Sequence, residues 1–89
     1  MTTSLTKIAA NFVETTIDDE AVVMDIRSGN FFSLKGTALT IWELIDGTRD
    51  RAAILAGLYQ AYPETDKQEI ANDLDSFLAQ LSENALVAS

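Results

Sequence analysis

Carboxylates are the main candidates for acid–base or metal chemistry in this chain, because it contains neither histidine nor cysteine. Imidazole bases, cysteine nucleophiles, disulfide bonds and thiolate zinc sites are thereby excluded. Two carboxylate pairs are present, Asp18 with Asp19 and Asp73 with Asp75. A general acid needs a carboxyl group whose pKa is raised by burial and which is held against a substrate. We predict solvated residues instead, since the first pair lies in a turn and the second is two apart on a helix, where side chains diverge.

Sequence motifs of catalytic and cofactor sites are absent as well. The chain has no calcium loop, glycine-rich phosphate loop, nucleophile elbow or zinc motif. We therefore expect no enzyme activity, no metal and no cofactor.

The negative net charge argues against nucleic acids and anionic membranes as partners. The 89 residues carry a net charge of −8 with only six lysines and arginines, whereas nucleic acids and anionic membranes are bound mainly through such residues. No apolar run approaches the roughly 20 residues of a membrane helix, and the N-terminus lacks a secretory signal pattern. We predict one cytoplasmic domain over residues 1–89, with an ordered core at about 8–87, that binds neither nucleic acid nor membrane.

Three strands are predicted in the first half of the chain, at residues 12–16, 21–26 and 31–34. A three-residue loop, 28–30, would join the last two strands and pair Ile26 with Phe32 and Met24 with Leu34. The core face would then hold Val22, Met24, Ile26, Phe32 and Leu34. The opposite face would hold Val23, Asp25, Arg27, Phe31 and Ser33.

Three helices are predicted after the strands, because the apolar period changes from two to 3.6. The first covers residues 37–46 and is stopped by Gly47. The second begins at a cap supplied by Thr48 or Asp50 and ends before Pro63. The third follows a capping box formed by Thr65 and Gln68 and continues to about residue 83. Its core stripe consists of Ile70, Leu74, Phe77, Leu78 and Leu81. The fold class is α+β, a three-stranded antiparallel sheet followed by three helices.

Surplus apolar surface on the third strand predicts a binding site. Phe31 points away from the core in the predicted register, and the strand lies at a sheet edge with no proline or charge before Lys35. Such an edge is a template for an added peptide strand. One flank of the third helix would form a shallow groove beside it, and this flank contains Lys67, Ala71, Asp75, Leu78 and Ser82.

These elements together resemble the PqqD-like family. The matching motifs are the G-x-F-F-x-L strand from Gly29 to Leu34, the T-A-x-x-I-W-x-L-I-D-G helix from Thr37 to Gly47, and D-L-x-x-F-L-x-x-L from Asp73 to Leu81. The resemblance covers residues 21–87 at the family's order and spacing.

This resemblance implies a small winged-helix-like domain that recognises the leader of a ribosomally made precursor peptide. The leader would add as a strand beside the third strand and lie against the third helix. Carried over position by position, the peptide-binding residues are Phe31, Phe32, Ser33, Leu34, Ala71, Leu74, Asp75 and Leu78. A short tail, Leu86 and Val87, would become ordered on binding.

The pathway is suggested by the hairpin turn. The branch that chaperones the precursor of pyrroloquinoline quinone usually has a proline–glutamate turn where this chain has Arg27-Ser28-Gly29-Asn30. The chain looks more like the free-standing recognition protein of lasso-peptide systems, which delivers its precursor to a leader peptidase and a macrolactam-forming cyclase. The quinone-precursor chaperone remains the alternative, followed by a winged-helix DNA-binding regulator and a homodimer that pairs its third strands.

Overall fold

The computed structural model describes residues 4–88 and has an α+β architecture. The strands and α-helices in chain order are β1 (Thr6–Lys7), β2 (Phe12–Ile17), β3 (Glu20–Asp25), β4 (Phe31–Leu34), α1 (Thr37–Leu44), α2 (Arg51–Ala61), α3 (Lys67–Glu83) and β5 (Val87–Ala88). A short 3-10 helix, Ala9–Asn11, lies between β1 and β2. The strands β1 and β5 form a small sheet of their own. The predicted three-stranded antiparallel sheet followed by three helices is confirmed.

The larger sheet has the order β2-β3-β4, with both neighbouring pairs antiparallel. The predicted register between β3 and β4 is wrong, because Phe32 pairs with Val23 rather than with Ile26. This three-residue shift exchanges the two faces of β3. Ala21, Val23 and Asp25 are buried, whereas Val22 and Met24 are half-buried on the opposite face and Ile26 is exposed. The predicted orientation of β4 is confirmed, with Leu34 buried, Phe32 packed on the core, and Phe31 and Ser33 exposed.

The buried Asp25 explains the register. Its carboxylate accepts a hydrogen bond from the backbone N–H of Arg27 at 3.0 Å, and its carbonyl accepts one from Gly29 at 2.7 Å. These bonds end β3 at Asp25 and make residues 26–29 the connection, with Gly29 in the left-handed region that glycine tolerates at no steric cost. Aspartate forms such local turns readily.

The core lies between the inner face of the sheet and the three helices. Trp42 is fully buried at its centre. Its indole N–H donates to a carboxylate oxygen of Glu14 on β2 at 2.8 Å, and its ring packs edge-on against Phe12 with 5.1 Å between centroids. These contacts join the hairpin to α1. The fully buried aliphatic side chains around them are Ile41, Ile45, Ile54, Leu58, Ile70, Leu74, Leu81 and Leu86.

Helix caps follow the sequence in part. Asp50 caps α2 by accepting from the N–H of Ala53 at 2.8 Å, as predicted. The cap of α3 is Asp66, which accepts from the N–H of Gln68 at 2.9 Å, and not Thr65. A carboxylate at this position also interacts favourably with the positive end of the helix dipole.

The C-terminal tail is packed on the domain. Leu86 and Val87 are buried, and Val87 pairs with Lys7 in the small β1–β5 sheet. Their apolar side chains complete the core, and the ordering of this tail on binding stays a prediction.

Candidate peptide-binding site

The free edge of β4 presents its main chain to solvent in a defined pattern. The N–H of Asp25 donates to the carbonyl of Asn30 at 2.8 Å, so these two residues form a hydrogen-bonded pair. Hydrogen-bonded and non-bonded pairs alternate along an antiparallel ladder. Phe32 and Leu34 therefore direct their main-chain groups toward β3. Those of Phe31 and Ser33 are directed toward the free edge.

No device protects this edge. Residues 31–34 contain no proline and no charge, and their pairing with β3 is continuous, without a bulge. Proteins commonly use such features to prevent an edge strand from pairing with another chain. The unprotected edge predicted from the sequence is present in the described part of the chain.

A cavity of about 320 Å³ lies beside the C-terminal end of β4. It is formed where α1 and α3 pack near the residues that follow the strand. Its lining residues are Lys35, Thr37, Ala38, Ile41, Asp73 and Phe77. The floor is apolar, and a lysine and an aspartate of opposite charge lie in its wall. This combination suits an apolar side chain together with main-chain or polar atoms at the entrance.

The predicted flank of α3 does not border this cavity. Asp75 points to α2, where it accepts two hydrogen bonds from the guanidinium of Arg51, at 2.7 and 3.0 Å. These bonds lower the pKa of Asp75. Ala71 and Leu78 share that flank by helical periodicity and are half-buried. The cavity lies on the opposite flank of α3, whereas the predicted flank is bonded to α2 through Asp75 and Arg51. The predicted peptide contacts on that flank stay predictions.

The structure brings together only part of the predicted peptide-binding set. Phe31 and Ser33 lie at the open edge, and Phe32 and Leu34 turn their side chains inward behind it. Leu74 is fully buried in the core. Sequence reasoning assigned Ala38, Ile41 and Phe77 to the core stripes of their helices and so missed their place in the cavity wall. Asp73 was the one available signal, since it lies on the cavity flank of the third helix.

The sheet has a second edge, at β2. A shallow cleft of about 500 Å³ lies at the β2–β3 turn and extends to Lys35 and Gly36. It is bordered by the acidic residues Asp18, Asp19 and Glu20. The β4 edge, in contrast to this acidic cleft, combines open main-chain groups with an adjacent apolar cavity.

The carboxylates of residues 4–88 form no metal-binding cluster. No three acidic side chains lie close enough to hold a metal ion. Burial alone would raise the pKa of the Asp25 carboxyl, but hydrogen bonds from Arg27 and Ser28 and the charge of Arg27 hold that pKa below its ordinary value. Asp25 is therefore ionised at neutral pH, and its carboxylate accepts a hydrogen bond within the turn that follows β3. In the same residues no helix is long and apolar enough to cross a membrane.

Comparisons with known proteins agree with this fold. Among solved structures, the chain of "TbiB1 in Complex with the TbiA(beta) Leader Peptide" superposes with a TM-score of 0.79 at 28% sequence identity. The match covers 93% of this chain and 95% of that one. A search of curated protein sequences returns no match. The family model described as coenzyme PQQ synthesis protein D (PqqD) matches residues 20–87. Because this match spans most of the chain, the protein belongs to the PqqD family.

Proposed function

We propose that this protein is a precursor-peptide recognition element that binds the leader segment of a ribosomally synthesised peptide. The leader would add as a further strand on β4 and place side chains in the adjacent cavity. The free β4 edge beside an apolar cavity carries this proposal, in a fold that superposes on a relative solved with a leader peptide.

Main-chain hydrogen bonds would supply a sequence-independent part of the affinity. The outward groups of Phe31 and Ser33 provide donors and acceptors for the added strand. The inward side chains of Phe32 and Leu34 anchor the strand to the core, so that its main chain is held rigid before binding. A preorganised edge reduces the conformational entropy that binding must overcome.

Side-chain selectivity would come from the cavity. Ala38, Ile41 and Phe77 supply apolar surface, and Asp73 together with Lys35 supplies polar groups at its wall. We propose Asp73 and Phe77 as the α3 contacts. The positions carried over from the family resemblance, Ala71, Leu74, Asp75 and Leu78, stay predictions whose geometry is less favourable, since one is buried in the core and another is bonded to Arg51.

The proposed role is binding without catalysis. Hydrogen bonds hold the pKa of the carboxyl groups of Asp25, Asp46 and Asp75 below its ordinary value. Lowered values keep a carboxylate ionised, whereas a general acid at neutral pH needs a raised one. Processing of the peptide would then be the work of separate proteins, a leader peptidase and a macrolactam-forming cyclase in the lasso type of pathway. The quinone-precursor chaperone is the alternative pathway.

Calorimetric titration with the leader of a short precursor encoded beside this protein's gene tests the binding step. We expect saturable binding that is retained by the isolated leader and lost when the leader is deleted from the precursor. Equal binding of the leaderless precursor would contradict the proposal. A peptidase and cyclase encoded at the same locus would favour the lasso pathway, and genes for quinone-cofactor synthesis would favour the alternative.

A further inference from the structure

The outer face of the larger sheet carries an apolar row that ends at the proposed binding edge. Val13, Met24 and Phe31 lie directly opposite one another on β2, β3 and β4. Phe31 has 68% of its surface exposed, the largest fraction among the large apolar side chains that are exposed. Side chains directly opposite each other on neighbouring strands pack together. Phe31 thus has Met24 beside it within the sheet, and its other side faces the free edge of β4.

A strand added to β4 would extend this row. The main-chain groups of Phe31 are directed to the free edge, so an antiparallel peptide residue can form a hydrogen-bonded pair with it. Residues that are directly opposite share one face of a sheet, and the peptide side chain would therefore lie beside the Phe31 ring on the outer face. The next peptide residue, opposite Phe32, would point to the inner face, on the side of the cavity.

We propose that the bound peptide is read on both faces of the sheet, with Phe31 selecting an apolar side chain on the outer face. This inference rests on the proposed function and adds a substrate class to it. The peptide would be an extended segment with two consecutive apolar residues. The first extends the row of Val13, Met24 and Phe31, and the second faces inward toward the cavity.

Selection from a displayed library of random 12-residue peptides tests this proposal and does not require the natural ligand. The library would be selected in parallel on the full chain, on Phe31→Ser and on Ile17→Ser. Ile17 is the matched control, because it is 59% exposed on the same face but lies on β2, two strands from the free edge. Thermal unfolding would verify that both variants are folded.

The full chain and Ile17→Ser should enrich peptides with two adjacent apolar residues, whereas Phe31→Ser should keep the preference at only one of these positions. A double-mutant cycle on one enriched peptide sharpens the test. Replacing its outer apolar residue by serine should weaken binding about fivefold for the full chain and by less than about twofold for Phe31→Ser.

The two proposals fail in different ways. Failure of the full chain to enrich any peptide would overturn the proposed function together with the inference drawn from it. Enrichment of the same two-position pattern on Phe31→Ser and on the full chain would overturn only the reading by Phe31. The reading by Phe31 would also be overturned if the serine substitution in the peptide weakened binding equally to the full chain and to Phe31→Ser. The outer peptide side chain and Phe31 would then contribute to affinity independently of each other.

Discussion

The side chains on the two faces of β4 differ in their contacts and in their burial. On the inner face, Leu34 is 3% exposed and Phe32 packs against the core formed with the helices. On the outer face, Phe31 and Ser33 contact no covering element in the described chain and are exposed. Strand alternation thus assigns four consecutive residues to two tasks. One pair joins the hairpin to the helices, and the other pair leaves a side chain and main-chain groups open to a partner.

The two flanks of α3 show the same division. The flank of Asp75 is occupied by α2 through Arg51, whereas the flank of Asp73 and Phe77 borders the cavity. The open edge of β4 and the flank of α3 that borders the cavity together form the proposed site.

The largest expected effect separates the two faces of β4 by stability. Leu34→Ala should lower the free energy of unfolding by about 3 kcal/mol, because it removes buried apolar volume and leaves a cavity. Phe31→Ala should change it by less than about 0.5 kcal/mol, since the ring is mostly in water. Urea denaturation of both variants measures the difference. Similar losses would mean that Phe31 is part of the core.

The second largest effect is expected when the outward main-chain groups of β4 are blocked. Ser33→Pro removes the N–H that is directed to the free edge, while the ladder to β3 keeps its bonds. We expect peptide affinity to fall by about tenfold or more, through the lost hydrogen bond and the bulk of the ring, with a small change in stability. Ser33→Ala is the control and should bind normally. Unchanged affinity of the proline variant, measured by calorimetry, would argue against strand addition at β4.

A matched pair of substitutions compares the two flanks of α3. Ala38→Leu should fill part of the cavity and weaken peptide binding by about fivefold, since the inward peptide side chain loses its space. Ala71→Leu enlarges a residue on the flank turned to α2 and should leave affinity within about twofold. Peptide affinity is measured by fluorescence anisotropy. A larger loss of affinity for Ala71→Leu than for Ala38→Leu would indicate that the peptide binds at the flank predicted from the sequence.

The smallest expected effect concerns pH and the turn before β4. The pKa of Asp25 is lower in the folded chain than its ordinary value of 3.8, so its ionised form stabilises the fold. That contribution is complete above the unfolded pKa and is lost as the pH falls through the lower folded pKa. Denaturation series from pH 6 to pH 2.5 should show a steeper loss for the wild type than for Asp25→Asn. Parallel curves would exclude a stabilising role for the Asp25 charge.

Much of the fold was predictable because its apolar patterns are regular. The periods of two and 3.6 located the three strands and three helices, and the inward direction of Phe32 and Leu34 was predicted correctly. The register of β3 was not, because it depends on Asp25 being buried. Aspartate is rarely buried unless it is paired, so pattern reasoning placed it on the solvent face. Its hydrogen bonds to the turn reverse that preference.

The site was predictable only to the level of the strand. An edge without protective residues can be recognised in sequence, and Phe31 was assigned to the correct face. The choice between the two flanks of α3 depends on where α2 packs, and both flanks carry polar residues. The ion pair between Arg51 and Asp75 joins residues 24 positions apart, which periodicity within one helix cannot reveal.

Hydrogen exchange of the β4 amides tests the central claim most directly. In the free protein, the amides of Phe31 and Ser33 should exchange rapidly, and those of Phe32 and Leu34 slowly, because only the latter are bonded to β3. Saturation with the leader peptide should protect Phe31 and Ser33 and leave Phe32 and Leu34 little changed. Unchanged exchange at Phe31 and Ser33 in the saturated complex would contradict strand addition at this edge.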